Sequence, residues 1–458
     1  MPSRTRLAVA TLASAALLTA QYGGPGRVWW DAGRGGILTW ETTSDNPEGQ
    51  VTVVKRDGPV KTEGHPFFEP LGRNGRACIT CHQPADAMSV SAAGMQERWR
   101  ETAGKDPVFA AIDGSNCPGL PQQEMSTHSL LLNRGLFRIA LPWPPKAAPE
   151  FRIEVVRDPT GCNTSPLYGL QSASPAVSVY RRPRITANLE YVIPGPSGAT
   201  FMADGREPSL RSQAISAIMI HEEAEQHPTV EQLDRIVALE TNLFAAQSAD
   251  RRAGLLNEDG GPLVLGPQNL AAGKAANLSA GSRAGVLRSF DAWRLPSGGK
   301  DAGLQLEFRA SVARGSDVFF GRAFALGEHQ PARATCATCH ASGVTRWMDI
   351  GTTNRSPADA LPGLPLFRIT CDQTAPPHPA LGRVIYTQDP GRALISGKCA
   401  DVGSIAIQQL RGLAARAPYF SNGSAQTLRE VVEFYDRRFH IGYTSQEKQD
   451  LANFLGAL

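Results

Sequence analysis

Cys78-Ile79-Thr80-Cys81-His82 and Cys336-Ala337-Thr338-Cys339-His340 spell one pattern, C-x-x-C-H, twice in a single chain. Two thiols at that spacing add to the vinyl groups of a haem, and the adjacent histidine offers a nitrogen to its iron. A structural zinc site would need four ligands at short spacing, and a redox dithiol would not need the histidine in both copies. The pair is therefore read as two covalent haem c sites, attached through Cys78, Cys81, Cys336 and Cys339, with His82 and His340 as iron ligands. More than half of the 458-residue chain separates the two, too much for one small multihaem domain, so each haem is expected in a helical domain of its own.

The rest of the composition is that of an ordinary globular protein, 41% hydrophobic and 19% charged. A net charge of +3, without a basic run interleaved with aromatics, offers no case for nucleic acid. Residues 1–20 read as a signal peptide: Arg4 and Arg6 precede an apolar run from Leu7 to Leu18 and a small-residue exit at Thr19-Ala20. That run is too short to span a bilayer, so export to the periplasm as a mature chain without a membrane span is expected. The other four cysteines fall as two local pairs, Cys117 with Cys162 and Cys371 with Cys399. In an oxidising compartment each pair is a candidate disulfide, the alternative being free buried thiols.

Texture changes along the chain. Residues 21–60, rich in Gly and Pro with Trp29, Trp30 and Trp40, read as an extended arm. LLLNRGLFRIALPWPP and EFRIEVVRDP, within 130–160, read as strands separated by a Pro-rich turn, bracketed by Cys117 and Cys162. SLRSQAISAIMIHEEAEQ places Leu210, Ala214, Ile218 and roughly His221 on one helical face. TVEQLDRIVALETNLFAAQSADRR reads as one continuing amphipathic helix, and SQEKQDLANFLGAL as a short one with a capping box at Thr444–Glu447. Residues 250–300 are Gly-rich and read as loop, and 355–400 carry no helical period.

Several blocks, in order, carry a family likeness: HPFFEPLGRNGRACITCHQP from His65, RRP at 181–183, DGREPSLRSQA at 204–214, VFFGRAFA before the second motif, and LRGLAARAPYFSNGSAQTLREVVEFY at 410–435. In these the chain resembles the bacterial di-haem cytochrome c peroxidase and MauG family, over most of 62–458 apart from the inserted segment. The resemblance implies a mainly α fold, two cytochrome-c-like haem domains with a β-rich insertion in the N-terminal half. The expected limits are an extension at 21–60, an N-terminal haem domain at 61–305 with an insertion at about 95–180, and a C-terminal haem domain at 306–458.

The family's roles carry over residue by residue. The N-terminal haem is the one that meets peroxide, with Gln213 and Glu223 on its open side and His221, Glu222 and Glu225 beside them as an acid–base cluster. The bland reading of those carboxylates is a solvated helix face, and of His221 a satisfied core residue. Tyr435, in VVEFY, stands where the family places the second ligand of the His340 haem; a core tyrosine is the plain alternative, and Met348 a rival ligand. Calcium between the domains is implied through Asn188 and the backbone carbonyls around Arg416 and Pro418, although Arg416 stands where Thr is more usual. Two departures stand out. Ala203 replaces the tryptophan that relays electrons between haems, with Trp347 or Phe201 as substitutes, and Ser421 replaces a histidine. The function expected is hydrogen peroxide reduction, or peroxide-driven oxidation of a partner, with a small redox protein as electron donor. An oxygenase that uses dioxygen, resembling the rubber oxygenases, and a plain electron carrier are the alternatives. Dimers are common among such proteins, which leaves a homodimer open.

Overall fold

The computed structural model describes residues 26–192, 201–274, 283–294, 303–326, 333–340, 347–349, 353–354 and 360–458. The leader at 1–20 and the side chains of Trp347 and Met348 lie outside this description. In chain order the elements that position the site are strands β1 (Glu41–Asn46) and β2 (Gly49–Lys55), the short helix α1 (Cys78–Cys81), and strands β3 (Phe137–Pro142), β4 (Phe151–Arg157) and β5 (Ala176–Arg181). Helices α2 (Leu210–His221) and α3 (Val230–Thr241) follow, then β6 (Leu243–Asp250), α4 (Leu304–Gly321) and α5 (Cys336–His340). Strands β7 (Leu366–Cys371) and β8 (Val384–Thr387) precede helices α6 (Leu428–Phe439) and α7 (Ser445–Ala457). Helices thus share the chain with several sheets, more strand than a mainly α reading allows for. Among the described residues no helix is long and apolar enough to cross a membrane.

The three largest of the apolar clusters among the described residues organise the fold. The first collects Phe67, Ile79, Ile218, Ile236 and Leu243 around α1, α2 and α3. The second joins Phe290, Phe319, Phe454 and Leu455 where α4 packs on α7. The helix starts follow local chemistry. Ser209, Thr229 and Thr444 each accept a backbone N–H three residues on, and the N3 side chain returns the bond to the cap backbone. The Thr444–Glu447 box expected from sequence is formed, with Thr444 N donating to Glu447 Oε2 at 2.8 Å.

The third core departs from the simple picture of an insertion. Strands β3 and β4 do not pair with each other: β3 pairs with β5, Ile139 opposite Val179, and β4 pairs with β7 from far along the chain, Ile153 opposite Ile369. Phe151, Val177, Phe367, Ile369, Leu394 and Val402 close one apolar cluster from both halves. Both cysteine pairs are disulfides, Cys117–Cys162 and Cys371–Cys399.

Two sequence expectations are corrected. The arm at 21–60 is not free, because β1 and β2 form a hairpin and β2 pairs with β6, Val53 opposite Ala245. Upstream of the hairpin, Arg27 Nη2 lies 2.6 Å from Asp86 Oδ2, and Trp30 N donates to Gln83 Oε1. The helix expected to run through LFAAQSAD stops at Thr241, and those residues form β6, buried at every position. A short run buried on both faces has no polar side for periodicity to detect, so helix and strand look alike in sequence.

Candidate active site

Each C-x-x-C-H motif opens on its own cavity. Cys78, Cys81 and His82 line one with 1410 Å³ of empty space, open mouth included; Cys336, Cys339 and His340 line the other, with 1460 Å³. Arg182, Pro183 and Gln409 line both, so these three residues form the wall between the cavities.

The motif residues fit a covalently held haem. The four thiols are unbridged and sit at the cavity walls. His82 Nδ1 lies 3.1 Å from the Met88 carbonyl oxygen and donates to it, which puts the lone pair on Nε2, the nitrogen that ligates. Met88 can present that carbonyl because the chain at 87–88 turns through left-handed backbone. Burial pushes the pKa of His82 and of His340 down to about 4, so both rings are neutral, the form a metal binds.

The two cavities differ on the side facing the histidine. In the C-terminal one, Tyr435 Oη lies 3.5 Å from His340 Nε2, the rings at 87° to each other. Tyr435 reaches this place from α6, held between Phe420, Phe434 and Phe439. Burial raises its hydroxyl above the ordinary tyrosine value. Ser421 lines the same cavity, as does Tyr443, which sequence reasoning did not single out. Tyr443 Oη lies 3.7 Å from Cys336 Sγ.

The N-terminal cavity is lined by Gln213 from the first turn of α2 and by His221 and Glu222 from its end. His221 Nδ1 lies 2.5 Å from Asp113 Oδ2, and Asp113 is in turn paired with Arg76, which is 1% exposed. Burial alone would raise the Asp113 carboxyl, but Arg76 and His221 together hold it below the usual range. Asp113 was not legible as a site residue, since it lies in a turn of the inserted segment with no motif around it. Its signal exists only in the fold: an arginine just ahead of the first motif, buried and in need of a counter-ion.

The carboxylate expected at Glu223 is displaced by one residue. Helix α2 ends at His221, and Glu223 has φ 53°, which turns its side chain away to Arg73 and Asn74, at 3.2 Å from each. Glu222 lines the cavity instead and is 3% exposed. It accepts from Leu71 N at 3.1 Å, and its Oε1 lies 3.7 Å from Cys78 Sγ. Gly72 makes this approach feasible, because a Cβ there would stand 1.7 Å from the Glu222 carbonyl oxygen. Burial raises Glu222 to about 8, so it is mostly a neutral acid at pH 7. Glu225 is exposed. Glu240, on α3, also lines the cavity, with Oε2 buried and unpartnered.

The calcium ligands do not fit a cation. Asn188 spends its side chain on the backbone of β6, donating to Ala245 O at 2.8 Å and accepting from Ala245 N at 3.0 Å. The Arg416 carbonyl accepts from the Arg182 guanidinium at 2.7 Å, so a positive charge already stands there. Ala203 and Phe201 line the N-terminal cavity but not its neighbour, and no aromatic is among the residues shared by both walls.

No family model matches the sequence. Among curated proteins, Cytochrome-c peroxidase IdrP1 of Denitromonas iodatirespirans is 27% identical over 181 residues, 37% of this chain and 45% of that protein. The protein of the same name from Pseudomonas sp. (strain SCT) is 37% identical over 81 residues, 15% of this chain and 21% of its own length. The match therefore spans less than half of either relative. A solved structure described as a MauG-like protein associated with microbial copper homeostasis aligns over 62% of this chain and 76% of its own. Identity there is 18% and the TM-score 0.28, too low to carry an argument.

Proposed function

Starting from kinship with the bacterial di-haem cytochrome c peroxidase and MauG family, we propose that this chain is an exported oxidoreductase with two haem c groups that reduces hydrogen peroxide. The oxidant enters at the His82 cavity, and electrons arrive from a small redox protein by way of the His340 site. The observation that carries this reading is the asymmetry of the cavities. A tyrosine hydroxyl faces His340, whereas acid–base groups, His221 and Glu222, share the cavity of His82.

A haem held by Cys78, Cys81 and His82 would supply an iron that passes electrons singly. Reducing one peroxide to two waters takes two electrons and two protons, and a proton must reach the departing oxygen. His221 can take and return a proton at Nε2, because Asp113 accepts the hydrogen on Nδ1 and so orients the ring. Glu222, kept neutral by burial, can donate one. Gln213 can hold the second oxygen by hydrogen bonding. The two disulfides and the leader-like residues 1–20 support an oxidising, exported location.

The test is spectroscopic. The purified ferric protein should show one high-spin signal that peroxide shifts, and H221Q should slow that response by about 10²-fold or more. Two low-spin signals indifferent to peroxide would leave an electron carrier. An oxygenase remains the second reading because apolar Phe137 and Ile139, from β3, line the same cavity and would suit an organic substrate. Dioxygen uptake that depends on such a substrate, with no peroxide response, would favour it.

A further inference from the structure

The wall between the cavities holds an excess of buried positive charge. Arg182 and Arg416 are 7% and 6% exposed. Arg182 lines both cavities, Arg184 the N-terminal one and Arg416 the C-terminal one. Each guanidinium is held by backbone carbonyls. Arg182 donates to Arg134 O, Val90 O and Arg416 O at 3.0, 2.6 and 2.7 Å. Arg184 donates to Ala406 O and Ile407 O, both at 2.9 Å, and Arg416 to Gln409 O at 2.5 Å and Arg411 O at 3.3 Å.

The other arginines of the N-terminal cavity are unlike these. Arg76 pairs with Asp113, Arg181 with Asp204 and Asp389, and Arg206 with Asp204. Among the described residues no carboxylate forms an ion pair with Arg182, Arg184 or Arg416. Carbonyl dipoles orient a guanidinium but do not neutralise it, and a buried charge without a counter-ion costs several kcal/mol. Burial accordingly lowers all three to about 10, with the charge of a neighbouring arginine adding to the effect at Arg182 and Arg184. A group that fills the cavities can bring the anion that the described residues lack. A haem brings two propionate carboxylates, and a guanidinium's planar fork matches a carboxylate two bonds at a time.

We infer that Arg182, Arg184 and Arg416 bind the haem propionates and form a fixed cationic bridge between the two cofactors, in the place where a divalent cation would otherwise stand. Arg182 is the shared member, touching both cavities, while Arg184 serves the His82 side and Arg416 the His340 side. Such a bridge does not exchange with solvent and cannot be chelated away. It also holds both irons at a more positive potential, because nearby cationic charge favours the reduced, less positive metal.

The inference rests on both motifs carrying haem, which a haem count on the purified protein tests separately, and it does not depend on the oxidant. The decisive measurements are calcium content and EGTA sensitivity of the holoprotein, followed by redox titration of three variants. Metal analysis should find no stoichiometric calcium, and EGTA should leave the melting temperature and the ferric EPR spectrum unchanged. R184Q should lower the potential of the N-terminal haem alone, R416Q that of the C-terminal haem alone, and R182Q both. Each drop should be near a tenfold change in the oxidised-to-reduced ratio, about 59 mV for a one-electron couple. One calcium per chain, an EPR spectrum altered by EGTA, or potentials unmoved in all three variants would overturn the bridge. Should a variant not fold, the calcium and EGTA measurements on the unaltered holoprotein still decide.

Discussion

Glu240 stands on the wall of the His82 cavity with one oxygen unpartnered, and burial raises its carboxyl to about 8. In the unfolded chain it titrates near 4.5. The folded state therefore holds this proton more tightly, and the associated stability is complete below pH 4.5 and lost as pH rises through 8. Replacing it by glutamine should flatten the fall in melting temperature between about pH 5 and 8, and an unchanged pH profile would show that Glu240 is solvated. Tyr435 invites a second substitution. Y435F keeps the ring packing and removes the hydroxyl 3.5 Å from His340 Nε2, so if Tyr435 ligates a haem held there, that haem should turn high-spin in the ferric EPR spectrum. An identical spectrum would make Tyr435 a core residue. Tyr435 and the HEEAE run that holds Glu222 could be picked out because their motifs are local, whereas Asp113 and the choice of carboxylate that faces the cavity could not. Those depend on which way a helix end turns and on which arginine lies behind it.

At the scale of elements, the end of α2 decides the chemistry. Periodicity correctly grouped Leu210, Ala214 and Ile218 as the buried face. It said nothing of residues beyond His221, where the backbone leaves helical geometry and a one-residue shift exchanges the buried carboxylate for a half-buried one. The α3–β6 boundary shows the same limit: Asn242 follows the last helical turn, and the run after it is buried on both faces. In the C-terminal half, α4 and α7 approach so closely that a Cβ at Gly315 would lie 2.0 Å from the Asp450 carbonyl oxygen. Asp450 is itself buried, bonded to Ser311 at 2.5 Å and Arg314 at 2.8 Å. G315A should force the helices apart and lower stability by about 1–3 kcal/mol in denaturant unfolding. A wild-type midpoint would show that the pair has slack.

Over the whole molecule, strand exchange ties the halves together. Strand β4 completes a sheet with β7, and Arg181 at the end of β5 sits between Asp204 and Asp389, at 2.5 and 2.6 Å. The Cys371–Cys399 disulfide closes a loop of 28 residues within that shared module, worth about 3–4 kcal/mol by loop closure. The double variant C371S/C399S should lose about that much relative to the untreated, oxidised protein, and haem held through the C-x-x-C-H thiols should stay attached because thioethers are separate bonds. Loss of haem on removing the disulfide would mean the module also holds a cavity closed. The sequence by itself carried the two C-x-x-C-H motifs, two candidate cysteine pairs and the capping box at Thr444–Glu447. These depend on residue type and short spacing, which the chain carries locally. The pairing of β4 with β7, the displacement of the cavity carboxylate to Glu222 and the arginine wall were decided only by the tertiary structure. Each depends on which distant groups share a low-dielectric interior, where a charge or a polar strand edge must find its partner.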